Sequence, residues 1–227
     1  MGIKKLREAD WYNHVSTCIP SASEVRRDVL FSEYQLLVKP RYRNILGTMV
    51  DYGVRSRHIN RCYSFVEIGL ANGVTSDYLS QIVDKAYLDY KEAYSLATFK
   101  KPERLSNDMA CDYAVLVERC ESLVKALRLN QPHFGEFYDL GSKYGWIECD
   151  CVSSDTIVDM KVTSALTYNK EYWTQILLYS LLSKLKDGYD RRRLVLIYPV
   201  QGVAESFTYE GQDYAALFKS FKERSGL

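Results

Sequence analysis

Between residues 134 and 162 the chain passes through three short runs rich in aromatic and β-branched residues, FGEFYDL, YGWIECDCV and DTIVDMKV, and only Ser153 and Ser154 part the last two. Strand-forming runs this close pair with each other as an antiparallel hairpin across VSSD. The hairpin is a strong constraint because side chains two apart on a strand share a face, so pairing aligns whole rows of residues. On the second run Glu148, Asp150 and Val152 share one face and Ile147, Cys149 and Cys151 the other; on the third, Asp159 and Lys161 point one way and Val158, Met160 and Val162 the other. The pattern predicts three carboxylates and a lysine converging on a polar face, with Cys149 and Cys151 side by side in a core.

The remainder of the chain is read around this hairpin. Its 227 residues, 47% of them hydrophobic, suffice for one core, so a single domain is expected over residues 1–227. Residues 1–130 read as mainly helical, with helices expected near 21–38 (SASEVRRDVLFSEYQLLV, capped by Ser21 or Ser23), 42–57, 60–72, 76–95 and 107–128. Breaks fall at KPRY, ANGVTSD and FKKPERLSND, which supply Pro, Gly and capping residues. Residues 131–227 read as the sheet part: strands near 134–140, 144–152 and 155–162, a helix near 168–186, then strands near 192–200 and 203–209. The expected fold class is α/β, a mixed sheet preceded by a helical N-terminal half.

Composition narrows the function. Thirty basic residues against 29 acidic ones give a net charge of +1, so no global field marks a polyanion binder and any nucleic-acid surface must be local. The six cysteines (Cys18, Cys62, Cys111, Cys120, Cys149, Cys151) form no C-x-x-C pair, which argues against a zinc or iron–sulfur site. The opening MGIKKLREADWYNH has no apolar leader, and no apolar run is long enough for a bilayer. A soluble, intracellular protein of cytoplasm or nucleus with reduced thiols and no membrane partner is expected, whether cellular, viral or phage in origin.

An acid and a base side by side on a half-exposed strand are often no more than a solvated pair. Two carboxylates held close are different, because each raises the other's pKa and a divalent cation removes the conflict. Hard oxygen ligands suit Mg²⁺ or Mn²⁺, and such an ion polarises a phosphate and lowers the pKa of bound water. A lysine beside it can orient the water or stabilise charge developing on the phosphate, so the pattern points to phosphodiester hydrolysis.

Asp150, then Asp159-Met160-Lys161 across the hairpin, then YWTQILLYSLL on the following helix resembles the PD-(D/E)XK nuclease superfamily, in its RecB-like and lambda-exonuclease-like branch. The resemblance covers about residues 134–200 and implies a restriction-endonuclease-like αβββαβ core. It further implies that Asp150 and Asp159 bind metal, that the Met160 carbonyl adds a ligand, that Lys161 is the catalytic lysine, and that Gln175 and Tyr179 match the Q-x-x-x-Y helix motif. Their i, i+4 spacing puts both on one helix face. Glu136 is the candidate for the acidic residue on the preceding strand. Where the branch has a histidine after a glycine on an early helix, this chain offers Asp51 after Gly47, with His58 two turns on. Cys149 stands where the proline of the family name would be. Glu148 shares the face of Asp150 and becomes the ligand if the hairpin register slips by two.

Residues 39–61 concentrate Arg41, Arg43, Arg55, Arg57 and Arg61, and DRRRL adds Arg191 and Arg192. Such groups could contact phosphates, although a solvated helix face explains either patch alone. The expected function is a metal-dependent nuclease acting on DNA in preference to RNA, as an exonuclease of repair or recombination type. The alternatives are a structure-specific or RNA-directed endonuclease, and an inactive nucleic-acid-binding module.

Overall fold

In the computed structural model, residues 6–7, 9–58, 84, 88 and 106–227 are described. Among the described residues six strands lie in one sheet: β1 (Arg26–Val29), β2 (His133–Asp139), β3 (Trp146–Val152), β4 (Thr156–Met160), β5 (Arg193–Tyr198) and β6 (Val203–Thr208). Their order is β1-β6-β5-β4-β3-β2, so the sheet is open, with β1 and β2 at its edges. Only β4 and β5 are parallel, the consequence of the helical crossover that joins them; the other neighbours are antiparallel. The α-helices that lie within the described residues are α1 (Asp10–Val15), α2 (Arg43–His58), α3 (Asn107–Ala126), the single turn α4 (Gly141–Tyr144), α5 (Lys170–Asp187) and α6 (Gly211–Ser225). Among the described residues no helix is long and apolar enough to cross a membrane.

The sheet separates two cores. On one face Val38, Ile45, Leu46, Met49, Leu116 and Val117 from α2, α3 and the preceding segment meet Phe134, Cys151, Val158, Val195 and Ile197. On the other, α1, α5 and α6 contribute Trp11, Trp173, Leu177 and Phe221 against Tyr138, Ile147, Cys149, Ile157, Leu194 and Leu196. Each fully buried Leu or Ile adds roughly 1.5–3 kcal/mol, so these layers fix the register of every strand between them. Crossover helix α5 starts where Asn169 accepts hydrogen bonds from the N–H groups of Glu171 and Tyr172, and stops at Gly188, whose left-handed backbone (φ 78°) ends it.

The helix expected over 21–38 is not formed. That stretch holds β1 and an extended run, because its backbone groups find partners outside the segment. Arg26–Val29 pairs with β6, Leu30 and Phe31 donate to the Gly202 carbonyl (2.8 and 3.2 Å), and Leu37 and Val38 donate to Asp112 (3.0 and 2.8 Å to Oδ2). Asp112 is fully buried and also accepts from the Tyr34 hydroxyl, so tertiary partners override local helical spacing. The first half is therefore not simply helical. The expected helices at 60–72 and 76–95 lie outside the described residues, apart from Asp84 and Leu88, which are helical. Helices α1 and α6 had no counterpart in the sequence expectations.

Cys149 and Cys151 are both buried but do not share a core. Cys149 packs beneath α5 and Cys151 beneath α2 and α3, so the alternation of β3 changes phase at Asp150. Edge strand β2 changes phase with it, Phe134 joining one core and Tyr138 the other. Between the flanking pairs Phe134↔Cys151 and Glu136↔Cys149 stands Gly135 with φ 72°, a conformation that glycine adopts without steric cost. Asp150 thus lies where the ribbon kinks between the two layers.

Candidate active site

Strands β3 and β4 pair at Cys151↔Val158 and Val152↔Ile157, and the Ser153 N–H closes the turn on Thr156 O at 2.8 Å. Beyond Val158 they part. The Met160 N–H turns to Oδ2 of Asp150 at 2.6 Å, and the Lys161 N–H to the Ile197 carbonyl of β5 at 2.9 Å. A carboxylate wedges the hairpin open at the positions where Asp150 and Asp159 face one another.

On the α5 side, Asp159 is 1% exposed and its Oδ2 lies 2.5 Å from Lys161 Nζ. The same ammonium donates to Gln175 Oε1 at 3.1 Å and sits 4.8 Å from the centre of the Tyr172 ring. Gln175 in turn donates through Nε2 to the Tyr179 hydroxyl at 2.6 Å. Tyr172, Gln175 and Tyr179 follow at i, i+3 and i+7, one face of α5, so the helix presents a relay ending on the lysine. Burial, reinforced by Asp150, pushes the Asp159 carboxyl up to about 7 against the pull of Lys161 and Arg55. Burial also opposes the charge on Lys161, but Asp159 and Asp150 outweigh it and hold the ammonium above its usual range. Tyr179 is raised well above its usual value by burial and stays a neutral hydroxyl.

On the α2 side, Arg55 is 3% exposed. Its Nε donates to Asp51 Oδ1 at 2.6 Å, its Nη2 lies 2.5 Å from Asp51 Oδ2 and 3.2 Å from Asp150 Oδ1, and its Nη1 donates to Glu148 Oε1. One guanidinium therefore holds three carboxylates. Burial pushes the Asp51 carboxyl up to about 7, with Asp150 and Asp159 adding to the effect and Arg55 opposing it. The side chains of Asp51, Glu148, Asp150 and Lys161 are 15–18% exposed, whereas Asp159 is 1% exposed.

Among the described residues the cluster holds four carboxylates, Asp51, Glu148, Asp150 and Asp159, against two cations, Arg55 and Lys161. Fully ionised it carries two unbalanced negative charges, and it can relieve them by taking up protons or a cation. Among the described residues no three His, Cys, Asp or Glu side chains form a ready metal-binding group, and the Arg55 guanidinium stands between Asp51, Glu148 and Asp150. The donor chemistry, hard oxygens with a charge excess of two, fits Mg²⁺ or Mn²⁺.

The structure brings Asp51, Glu148, Asp150, Asp159, Lys161, Gln175 and Tyr179 into this cluster, with Met160 contributing its N–H. It does not bring Glu136 in, since that carboxylate pairs with Nδ1 of its own strand's His133 at 2.7 Å. His58 ends α2 and its side chain lies outside the described residues, as do those of Arg41 and Arg57 and the whole of Arg61. Two arginines expected at phosphates are turned inward. Arg55 is engaged as above, and Arg191, 7% exposed, donates from Nε to Ser153 O at 2.6 Å and from Nη1 to Ser183 Oγ. Arg43 and Arg192 are half-buried. Tyr172 was not anticipated, although its place one turn before Gln175 signals it; Arg55 was expected at phosphates, and its i+4 spacing from Asp51 is the local sign of the role it has instead.

No protein-family model matches the chain, and no curated protein or solved structure matches it either.

Proposed function

We propose that this chain is a metal-dependent nuclease of PD-(D/E)XK type that hydrolyses phosphodiester bonds of DNA, from an end in preference to internally. The observation that carries the reading is the position of Lys161: its ammonium is held by Asp159 at 2.5 Å and Gln175 at 3.1 Å, beside Asp150 in the mouth of the splayed hairpin. The order α3-β2-β3-β4-α5-β5, interrupted only by the single turn α4 between β2 and β3, supports a restriction-endonuclease-like αβββαβ core, the arrangement in which such a hairpin and relay helix would be expected.

Asp150 and Asp159, with Asp51, Glu148 or the Met160 carbonyl, would hold one or two Mg²⁺ or Mn²⁺ ions, which when bound would polarise the phosphate and acidify a water. Lys161 would place its positive charge where negative charge builds on phosphorus-bound oxygen as water attacks in line. Gln175 and Tyr179 act through the lysine: the amide oxygen fixes the ammonium, and the tyrosine hydroxyl fixes the amide. Asp159, almost fully covered, keeps the lysine charged.

Incubation with labelled linear single-stranded, linear duplex and closed circular DNA, in Mg²⁺ or Mn²⁺, tests the reading. Linear substrates are expected to be degraded, circles spared, and Asp159→Asn to abolish both cleavage and Mn²⁺ binding. An Asp159→Asn protein that cleaves at the wild-type rate would refute the assignment. A second reading, a nucleic-acid-binding module without activity, draws on the Arg55 fork, which would occupy the carboxylate oxygens permanently if it never left them.

A further inference from the structure

The nuclease reading leaves one group without a role, the buried guanidinium that sits among the carboxylates a cation would need. Resting on that reading, we propose that Arg55 is a displaceable internal counter-ion: it holds Asp51, Glu148 and Asp150 together in the metal-free protein and yields its place when a divalent cation binds. Metal and guanidinium then compete for the same oxygens.

Three observations support competition over permanent bridging. First, both oxygens of Asp51 and one oxygen each of Glu148 and Asp150 are directed at Arg55, and the second oxygen of Asp150 is taken by the Met160 N–H. A divalent cation bound by Asp150 together with Asp51 or Glu148 needs oxygens that the guanidinium now occupies, and two positive groups at that spacing repel. Second, among the described residues one positive charge faces three carboxylates, which leaves the group under-neutralised, so replacing the guanidinium by a doubly charged ion improves the balance. Third, Arg55 reaches the cluster on a long side chain from α2, one turn after Asp51, so it can leave by rotating about its own bonds without moving the helix. Arg55 is on this account a positioning residue of the metal-free state, and the cation must outcompete it.

Mn²⁺ binding by calorimetry to the full chain, as wild type, Arg55→Met and Arg55→Lys, decides the matter, alongside thermal melting with and without the ion. Competition predicts that Arg55→Met melts lower than wild type without metal, binds Mn²⁺ at least about tenfold more tightly, and gains more in melting temperature from the ion. Arg55→Lys, which keeps the charge and loses the fork, falls between. Should Arg55→Met fail to fold, a readout on the wild type replaces it: the side-chain Nε–H resonance of Arg55, hydrogen-bonded to Asp51, shifts or exchanges faster on Mg²⁺ titration. If wild type binds Mn²⁺ and Arg55→Met binds it equally or more weakly, or the Nε–H resonance is unmoved at Mg²⁺ saturation, Arg55 is a scaffold and the inference is overturned while the nuclease reading stands. If neither wild type nor either variant binds the ion, and Asp150→Asn behaves like wild type, both fall.

Discussion

Substituting Gly135 by Ala tests how tightly the kinked ribbon is built against the Arg55 cluster. Gly135 has φ 72°, which costs an L-residue about 1–2 kcal/mol. The lower entropy of the unfolded alanine chain returns none of this, because the native conformation is incompatible with the new side chain. A Cβ would also lie 3.3 Å from both Arg55 Nη1 and Glu148 Oε1, closer than ordinary contact, so one of them must retreat. Arg55 is buried and tied to Asp51 and Asp150, so the bond to Glu148 is the one that lengthens, and weakening a charged hydrogen bond adds about 1.5 kcal/mol. The expected loss is about 3 kcal/mol, or roughly 9 °C in melting temperature for a chain of this size. Gly188 provides the control, since it has φ 78° with nothing within 4 Å of an added methyl, so Gly188→Ala bears the backbone term alone, about 1 kcal/mol. Urea unfolding followed by fluorescence of the buried Trp11 and Trp173 measures both. In a Glu148→Ala background the excess at Gly135 should shrink, as a double-mutant cycle reports. Equal losses at the two glycines, within about 0.5 kcal/mol, would show that the ribbon does not press on the cluster.

Gly202→Ala should be far more damaging, because its Cβ would fall 2.5 Å from the Phe31 carbonyl at φ 69°; a loss above about 3 kcal/mol and faster amide exchange at Leu30 and Phe31 are expected, and wild-type exchange would refute it. Asp112→Ala strips acceptors from the N–H groups of Leu37 and Val38 and from the Tyr34 hydroxyl, and should cost about 3 kcal/mol by denaturant titration. Asn169→Ala removes the cap of α5 and should cost about 1 kcal/mol, readable in the same titration. If the nuclease reading holds, Gln175→Met should slow single-turnover cleavage about tenfold with substrate affinity little changed, since it removes one anchor of Lys161, leaving Asp159, without touching a metal ligand; a changed affinity at an unchanged rate would contradict that.

What the sequence revealed and what it hid divide by distance along the chain. The hairpin and the Gln175–Tyr179 pair follow from period two and period 3.6, and both kinds of partner lie within a few residues. The strand character of Arg26–Val29 could not be read locally, because its partner β6 comes at the far end of the chain and the apolar residues of 21–38 also satisfy a helical spacing. Arg55 was legible as a basic residue but not as a buried one, since Glu148 and Asp150 meet it only after β3 folds under α2. The phase change that separates Cys149 from Cys151 had a single local sign, Gly135, and strict alternation conceals it. Helix α6 did carry a signal, with Tyr214, Leu217 and Phe221 at helical spacing and buried on one side.

The bond from the Met160 N–H to Asp150 gives the molecule an internal spectroscopic probe. Most strand amides report a neighbouring carbonyl, whose electron density scarcely changes as a protein works. This one, at 2.6 Å, reports a carboxylate in the middle of the charged cluster. Its proton and nitrogen frequencies should follow whatever happens to that oxygen's charge, and its protection from solvent should rise or fall with the opening of the hairpin mouth. A single labelled methionine amide thus offers a readout of the site that requires no substrate, no dye and no change to the chain.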